Sequence, residues 1–252
     1  MQFLQRHIIF DLDGTIFDTE FEVSRITAEL AADRGCAMAA DDVFRQFAGL
    51  GCEDKFSGIA HAAGMCFTPA ELTELTLLHE DRKQQIYYRA RLPVVPGVPE
   101  VLNALSAAGD ILSIGSSNPT ARSRLGLEKE GLLDHFGSRI YGPDMVDGRK
   151  KPDPAIFLLA MQANGSSTTN TIVIEDTEPG IVAGRSAGAF VIAYLDPRFG
   201  QGAAAMEKEK SMRMAGADAI VRNFRDVLNF IPSCAPSSAP ASLFRSVPQA
   251  KP

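Results

Sequence analysis

An excess of positive charge is missing from this sequence: 25 lysines and arginines stand against 31 aspartates and glutamates in 252 residues, a net charge of −6. A surface of that balance does not track a phosphate backbone or cling to anionic lipid, so neither nucleic acid nor membrane is expected as a partner. Paired cysteines are missing too. Cys36, Cys52, Cys66 and Cys234 are scattered, with no C-x-x-C and no histidine cluster at zinc spacing. Free thiols packed as small hydrophobes, in a reducing cytoplasmic setting, are the expectation. Long apolar runs are equally scarce. The amino terminus offers only Arg6 and the brief Ile8-Ile9-Phe10, too little for a signal peptide or a membrane span. With 45% hydrophobic and 22% charged residues the chain can bury a core without staples, and its length allows one domain or two.

What is present alternates in an informative order. Residues 7–10, 111–114, 171–174, 189–194 and 219–221 are short apolar runs rich in β-branched side chains, which read as buried strands of a parallel sheet. Helical patterns at 98–107 and 155–163 lie between them, giving α/β texture. Residues 20–91 differ. They contain helical patterns at 20–34, 41–48, 53–63 and 69–90, punctuated by Gly35, Gly49, Gly51, Gly64 and Pro69, and no convincing strand. The predicted fold is therefore a Rossmann-like parallel-sheet core (residues 1–17 and 92–230) with an all-helical insert (18–91). Residues 231–252, rich in Pro, Ser and Ala, are expected to be a disordered tail.

Four segments carry chemistry. The first strand runs into Asp11-Leu12-Asp13-Gly14-Thr15; residues i and i+2 of a strand share a side, so a continuing strand would present Asp11 and Asp13 together at the sheet's ligand-binding edge. An acidic turn is the structural alternative. Glu175-Asp176 follows the third run, where a helix-capping acid is the alternative. Two acidic clusters at strand ends could share one hard divalent cation such as Mg²⁺. Gly115-Ser116-Ser117-Asn118 leads into a helix near Thr120, suiting either a phosphate oxyanion or a plain N-cap. Lys150-Lys151-Pro152-Asp153-Pro154 holds a lysine beside backbone pinned by two prolines.

Together these segments resemble the haloacid dehalogenase-like superfamily of phosphotransferases, over residues of about 6 to 227, and within it the subgroup of β-phosphoglucomutase and the sugar-phosphate phosphatases. The resemblance implies that the helical insert is a cap. It implies that Asp11 is the nucleophile, Asp13 the general acid and base, and that Ser116, Ser117, Asn118 and Lys151 hold phosphoryl oxygens. It also implies a Mg²⁺ site from Asp11, the Asp13 carbonyl and Asp176, with Glu175 acting through water. Dehalogenases of the superfamily lack an aspartate at position 13, so carbon–halogen cleavage is disfavoured.

The expected activity is Mg²⁺-dependent hydrolysis of a small phosphorylated metabolite by a monomer: a sugar, sugar-acid or polyol phosphate. The alternatives are a phosphomutase and a silent binding protein. Mutases of the subgroup carry a cap arginine shortly after a glycine corresponding to Gly49, whereas residues 49–55 here read Gly-Leu-Gly-Cys-Glu-Asp-Lys. Gly49, Gly51, Cys52 and Lys55 are the candidate specificity residues. Lys55 would either replace that arginine or stand exposed on its helix.

Overall fold

The structure, a computed structural model, describes residues 5–88 and 91–231. Six parallel strands form one sheet: β1 (His7–Phe10), β2 (Ile111–Gly115), β3 (Ile140–Tyr141), β4 (Thr171–Glu175), β5 (Phe190–Tyr194) and β6 (Ala219–Val221). Their order is β3-β2-β1-β4-β5-β6, so the chain changes winding direction on the two sides of β1. A crevice opens at such a point, outside the carboxyl ends of the strands. The register places three ends level, because Phe10 pairs with both Ile114 and Ile174.

Strand alternation splits the core into two layers. Ile8, Phe10, Ile114, Ile174 and Ile192 face one side of the sheet, and Ile9, Val173, Val191 and Ala193 face the other. Burying a side chain such as Phe10, which has no exposed surface, contributes about 2 kcal/mol or more. Helices cover both faces: α5 (Val98–Ala107), α6 (Thr120–Lys129) and the short α7 (Leu133–Phe136), then α8 (Ala155–Ala163), α9 (Glu178–Ser186) and α10 (Ala203–Ala215). Before α5 come α1 (Glu20–Ala32), α2 (Ala40–Phe47), α3 (Cys52–Ala62) and α4 (Pro69–Tyr88), the helical cap.

The cap hangs on two adjacent crossings. Phe17 pairs with Val94 in an antiparallel bridge, Asp18 N–H donates to the Pro93 carbonyl at 2.7 Å, and Val95 N–H donates to that of Ile16 at 3.0 Å. On the other side the cap rests on the core through rings: Phe44 lies 4.8 Å from Phe199, and the Arg198 guanidinium sits over Phe21 and Phe44.

Several sequence expectations need correction. β3 has two residues, too short for a periodic signal, and was not anticipated. β1 ends at Phe10; residues 12–17 then fold into a turn in which Ile16 and Phe17 N–H groups both donate to the Leu12 carbonyl, so Asp13 is aimed by a turn and not by a continuing strand. Glu175 is the last residue of β4 and does not follow it. Ile231, assigned to the tail, packs in the core, and the expectation for 232–252 lies outside the described residues, as does Cys234. Cys36, Cys52 and Cys66 are free thiols; Cys36 is buried, and Cys66 is exposed and so not packed as a hydrophobe.

Candidate active site

Three strand ends build one side of a cavity of about 410 Å³. Asp11 extends β1 by one residue, its N–H donating to the Ile174 carbonyl at 2.9 Å, and its side chain is buried beside Glu175 and Asp176. Lys151 reaches between two carboxylates. Its Nζ donates to Asp11 Oδ1 and, at 2.6 Å, to Glu175 Oε1, and it stands 4.9 Å from the centre of the Phe157 ring. Glu175 is fixed from behind, since Oε2 accepts the backbone N–H groups of Asp176 and Thr177 at 2.9 Å and the Thr177 hydroxyl at 3.0 Å. Thr15 Oγ1 donates to Asp176 Oδ1 at 2.9 Å.

Two glycines make this packing feasible. Gly14 has φ +86°, and a Cβ there would lie 2.1 Å from Asp176 Oδ2; a Cβ on Gly180 would lie 1.7 Å from Glu175 Oε1. Neither position admits a side chain while the carboxylates stay in place.

Charge is unbalanced here. Asp11, Glu175 and Asp176 offer oxygens within 4.8 Å of one another, with Lys151 as the cation among them. Burial pushes Asp11 up to about 7 against the pull of Lys151, and burial with the neighbouring Glu175 and Asp11 carboxylates pushes Asp176 well above the usual range. Lys151 moves the other way: burial alone would lower it, but Asp11 and Glu175 outweigh that and raise it. Clustered oxygens carrying excess negative charge fit a hard divalent cation, which relieves the repulsion that otherwise favours protonation.

Asp13 faces the same cavity from the cap side. It accepts hydrogen bonds from Thr19 Oγ1 (2.6 Å), the Tyr87 hydroxyl and Asn118 Nδ2 (2.7 Å), and Lys83 Nζ stands 3.6 Å away. Burial alone would raise its pKa, but Lys83 and the three donors outweigh it and hold the carboxyl below its usual range. Ser116 and Asn118 are buried, and Ser117 lines the cavity. They are not the cap of α6, because Thr120 N–H and Oγ1 donate to Asp144. Ser116 Oγ accepts the Asn118 N–H at 3.1 Å, which leaves its hydroxyl proton to be given to a ligand.

Gly49, Gly51, Cys52 and Lys55 all line the cavity from the cap. The exposed-lysine expectation for Lys55 is overturned: it is buried and its Nζ donates to Glu20 Oε1 at 2.8 Å, while Gly49 N–H donates to the same oxygen at 3.1 Å. Sequence reasoning missed Thr19, Glu20, His79, Lys83, Tyr87 and Arg122. One signal was available, because His79, Lys83 and Tyr87 are spaced four apart and therefore share a face of α4.

The model of the family described as haloacid dehalogenase-like hydrolase matches residues 8–194, a span that holds Asp11, Asp13, Ser116, Lys151, Glu175 and Asp176. The chain belongs to this family. Among its relatives, a 6-phosphogluconate phosphatase of Escherichia coli (strain K12) is 25% identical over 75% of this chain and 83% of its own. A β-phosphoglucomutase of Bacillus subtilis (strain 168) is 29% identical over 87% and 90%. In three dimensions the fold is similar to a haloacid dehalogenase-like protein from Agrobacterium tumefaciens str. C58, with a TM-score of 0.72 and 25% identity, covering 90% and 97% of the two chains. This member of the family is a phosphatase, an enzyme for small phosphorylated compounds.

Proposed function

We propose that the chain hydrolyses phosphomonoesters of small sugar, sugar-acid or polyol metabolites through an aspartyl phosphate on Asp11, as a monomer in the cytoplasm. The observation that carries this is the level meeting of Asp11, Ser116 and the Lys151–Glu175 pair at three strand ends, with Asp13 facing them across one cavity. Asp11, Asp176 and the Asp13 carbonyl would hold Mg²⁺, with Glu175 behind them. Bound there, the ion supplies positive charge to the phosphoryl oxygens and to the carboxylate cluster.

The remaining roles follow from the residues. Lys151 and the Ser116 hydroxyl grip phosphoryl oxygens, with Ser117 and Asn118 beside them, which lowers the repulsion between a dianionic ester and a carboxylate nucleophile. An Asp11 oxygen bonds to phosphorus as the bond to the leaving oxygen breaks, and Asp13 gives that oxygen its proton. Asp13 is then a carboxylate. It takes a proton from water as the water oxygen attacks phosphorus, releasing inorganic phosphate and restoring Asp11. The hydrogen bonds and Lys83 charge that hold Asp13 low suit this second step, and the arriving phosphate dianion raises its proton affinity for the first. Gly49, Gly51, Cys52 and Lys55 contact the leaving group from the cap.

The test is phosphate release from a panel of phosphomonoesters in Mg²⁺. Asp11→Asn is expected to lower kcat by about a thousandfold or more, since the covalent step is lost. Full activity in that variant overturns the nucleophile assignment, and interconversion of phosphoglucose isomers without net phosphate release would replace hydrolase by mutase.

A further inference from the structure

The cavity is larger than a phosphoryl group requires, and its phosphoryl end is furnished by Asp11, Ser116 and Lys151. Beyond Asp13 its wall carries two more cations from different parts of the chain, Lys83 of α4 in the cap and Arg122 of α6 in the core. Both are largely withdrawn from water, with side chains 22% and 16% exposed. Their ion pairs are loose: Lys83 Nζ is 3.6 Å from Asp13, with Glu80 and Glu20 also near it, and Arg122 Nη1 is 3.9 Å from Glu80, whose own side chain is half in solvent. The other buried cations of this wall differ. Lys55 is held by Glu20 at 2.8 Å and Lys151 by Asp11 and Glu175, while Lys150 stands exposed. Neither ion pair closes to hydrogen-bond distance, so both cations keep donors that an anion bound between them can accept.

We propose that Lys83 and Arg122 form a subsite for a carboxylate carried by the leaving alcohol, so that phosphorylated sugar acids are preferred over their neutral counterparts. This rests on the hydrolase reading above and narrows its substrate class. The position suits it. Arg122 Nη1 donates to Asn118 Oδ1 at 3.2 Å and Asn118 Nδ2 donates to Asp13 at 2.7 Å, so a single amide separates the guanidinium from the group that protonates the leaving oxygen. The planar guanidinium fork matches a carboxylate, and Lys83 adds a point charge from the opposite, cap side. A monoanion also suits the balance better than a second phosphate, since Glu80 and Asp13 already face the two cations.

The test uses the full chain in Mg²⁺ with two substrates that share a six-carbon skeleton, 6-phosphogluconate and sorbitol 6-phosphate, the second carrying an alcohol where the first has its carboxylate. Fructose 1,6-bisphosphate is the third. Expected is a kcat/KM for 6-phosphogluconate roughly tenfold or more above that for sorbitol 6-phosphate, the worth of a charged hydrogen bond. In Arg122→Gln and in Lys83→Met that ratio falls toward one, and residual turnover of sorbitol 6-phosphate reports that each variant is folded. A wild-type ratio near one, or a ratio that neither variant changes, overturns the subsite and leaves the hydrolase standing. Preference for the bisphosphate over 6-phosphogluconate overturns the carboxylate assignment. Release of phosphate from none of the three by the wild-type chain overturns the hydrolase reading and this inference with it.

Discussion

Asp13 gathers partners from three stretches of chain that the sequence keeps far apart: Thr19 at the first crossing into the cap, Lys83 and Tyr87 on α4, and Asn118 after β2. Tyr87 is the partner whose loss is cleanest to read. Phenylalanine at this position keeps the ring packed against Phe17 and removes one donor to the carboxylate, so the proton affinity of Asp13 rises. In Tyr87→Phe the alkaline limb of the kcat/KM profile is expected to move up by about one pH unit, because the acid form persists to higher pH. An unmoved profile would leave Tyr87 a packing residue. The same residues show where sequence reasoning stops. Asp11, Asp13, Ser116, Lys151, Glu175 and Asp176 stand in contiguous motifs beside strand ends, so their neighbours in sequence announce them. Lys83 and Tyr87 on α4 and Arg122 in the first turn of α6 belong to no contiguous motif. Beyond the four-residue spacing of Lys83 and Tyr87 on α4, it is tertiary contact with Asp13 and Asn118 that distinguishes them.

Among the elements, β4 and α9 are joined through Glu175, Asp176 and Thr177, where Thr177 Oγ1 accepts the Gly180 N–H and caps the helix. Gly180→Ala drives a methyl into the Glu175 carboxylate. We expect a loss of about 2–4 kcal/mol by chemical unfolding, or at smaller cost a displaced Glu175 and a Lys151 no longer held, which lowers kcat. A variant with wild-type stability and turnover would contradict the packing described. Strands of three residues or more were legible in the sequence because burial on both faces leaves a short, apolar, β-branched run. β3, at two residues, carries no such pattern and exists because β2 offers it an edge. Helix bounds in the cap were legible to within a few residues, since glycine and proline interrupt every pattern there.

For the molecule as a whole, stability against pH is a sum of opposed contributions. His7 is buried between Ser113 and Ser166, each 2.7 Å from a ring nitrogen, and burial with nearby Arg139 lowers its pKa to about 4; burial lowers His79 to about 4 as well. Between that value and the unfolded 6.5 the unfolded chain binds the proton and the native chain does not. Their contribution is therefore complete above about pH 6.5 and is lost as pH falls toward 4, with a slope of about 1.4 kcal/mol per unit for each. Asp11 and Asp176, whose pKa values are raised, act with the opposite sign in the metal-free chain, so the net curve hides both. The difference between wild type and His7→Gln isolates one histidine. It should shrink steadily from pH 6.5 to 4.5 in urea titrations, and a difference constant over that range would show that His7 is protonated in the fold.

The pairing of Phe17 with Val94 brings the beginning and the end of the cap to adjacent backbone positions. In connectivity the cap is a detour of the chain, opened and closed at one place, and the sheet beneath it would close with a short turn if the detour were cut out. A lineage carrying this fold could lengthen, trim or exchange that detour while every strand kept its neighbours. The limit on such exchange is the place where Lys83 and Tyr87 reach down to Asp13, because a replacement cap must still supply that contact.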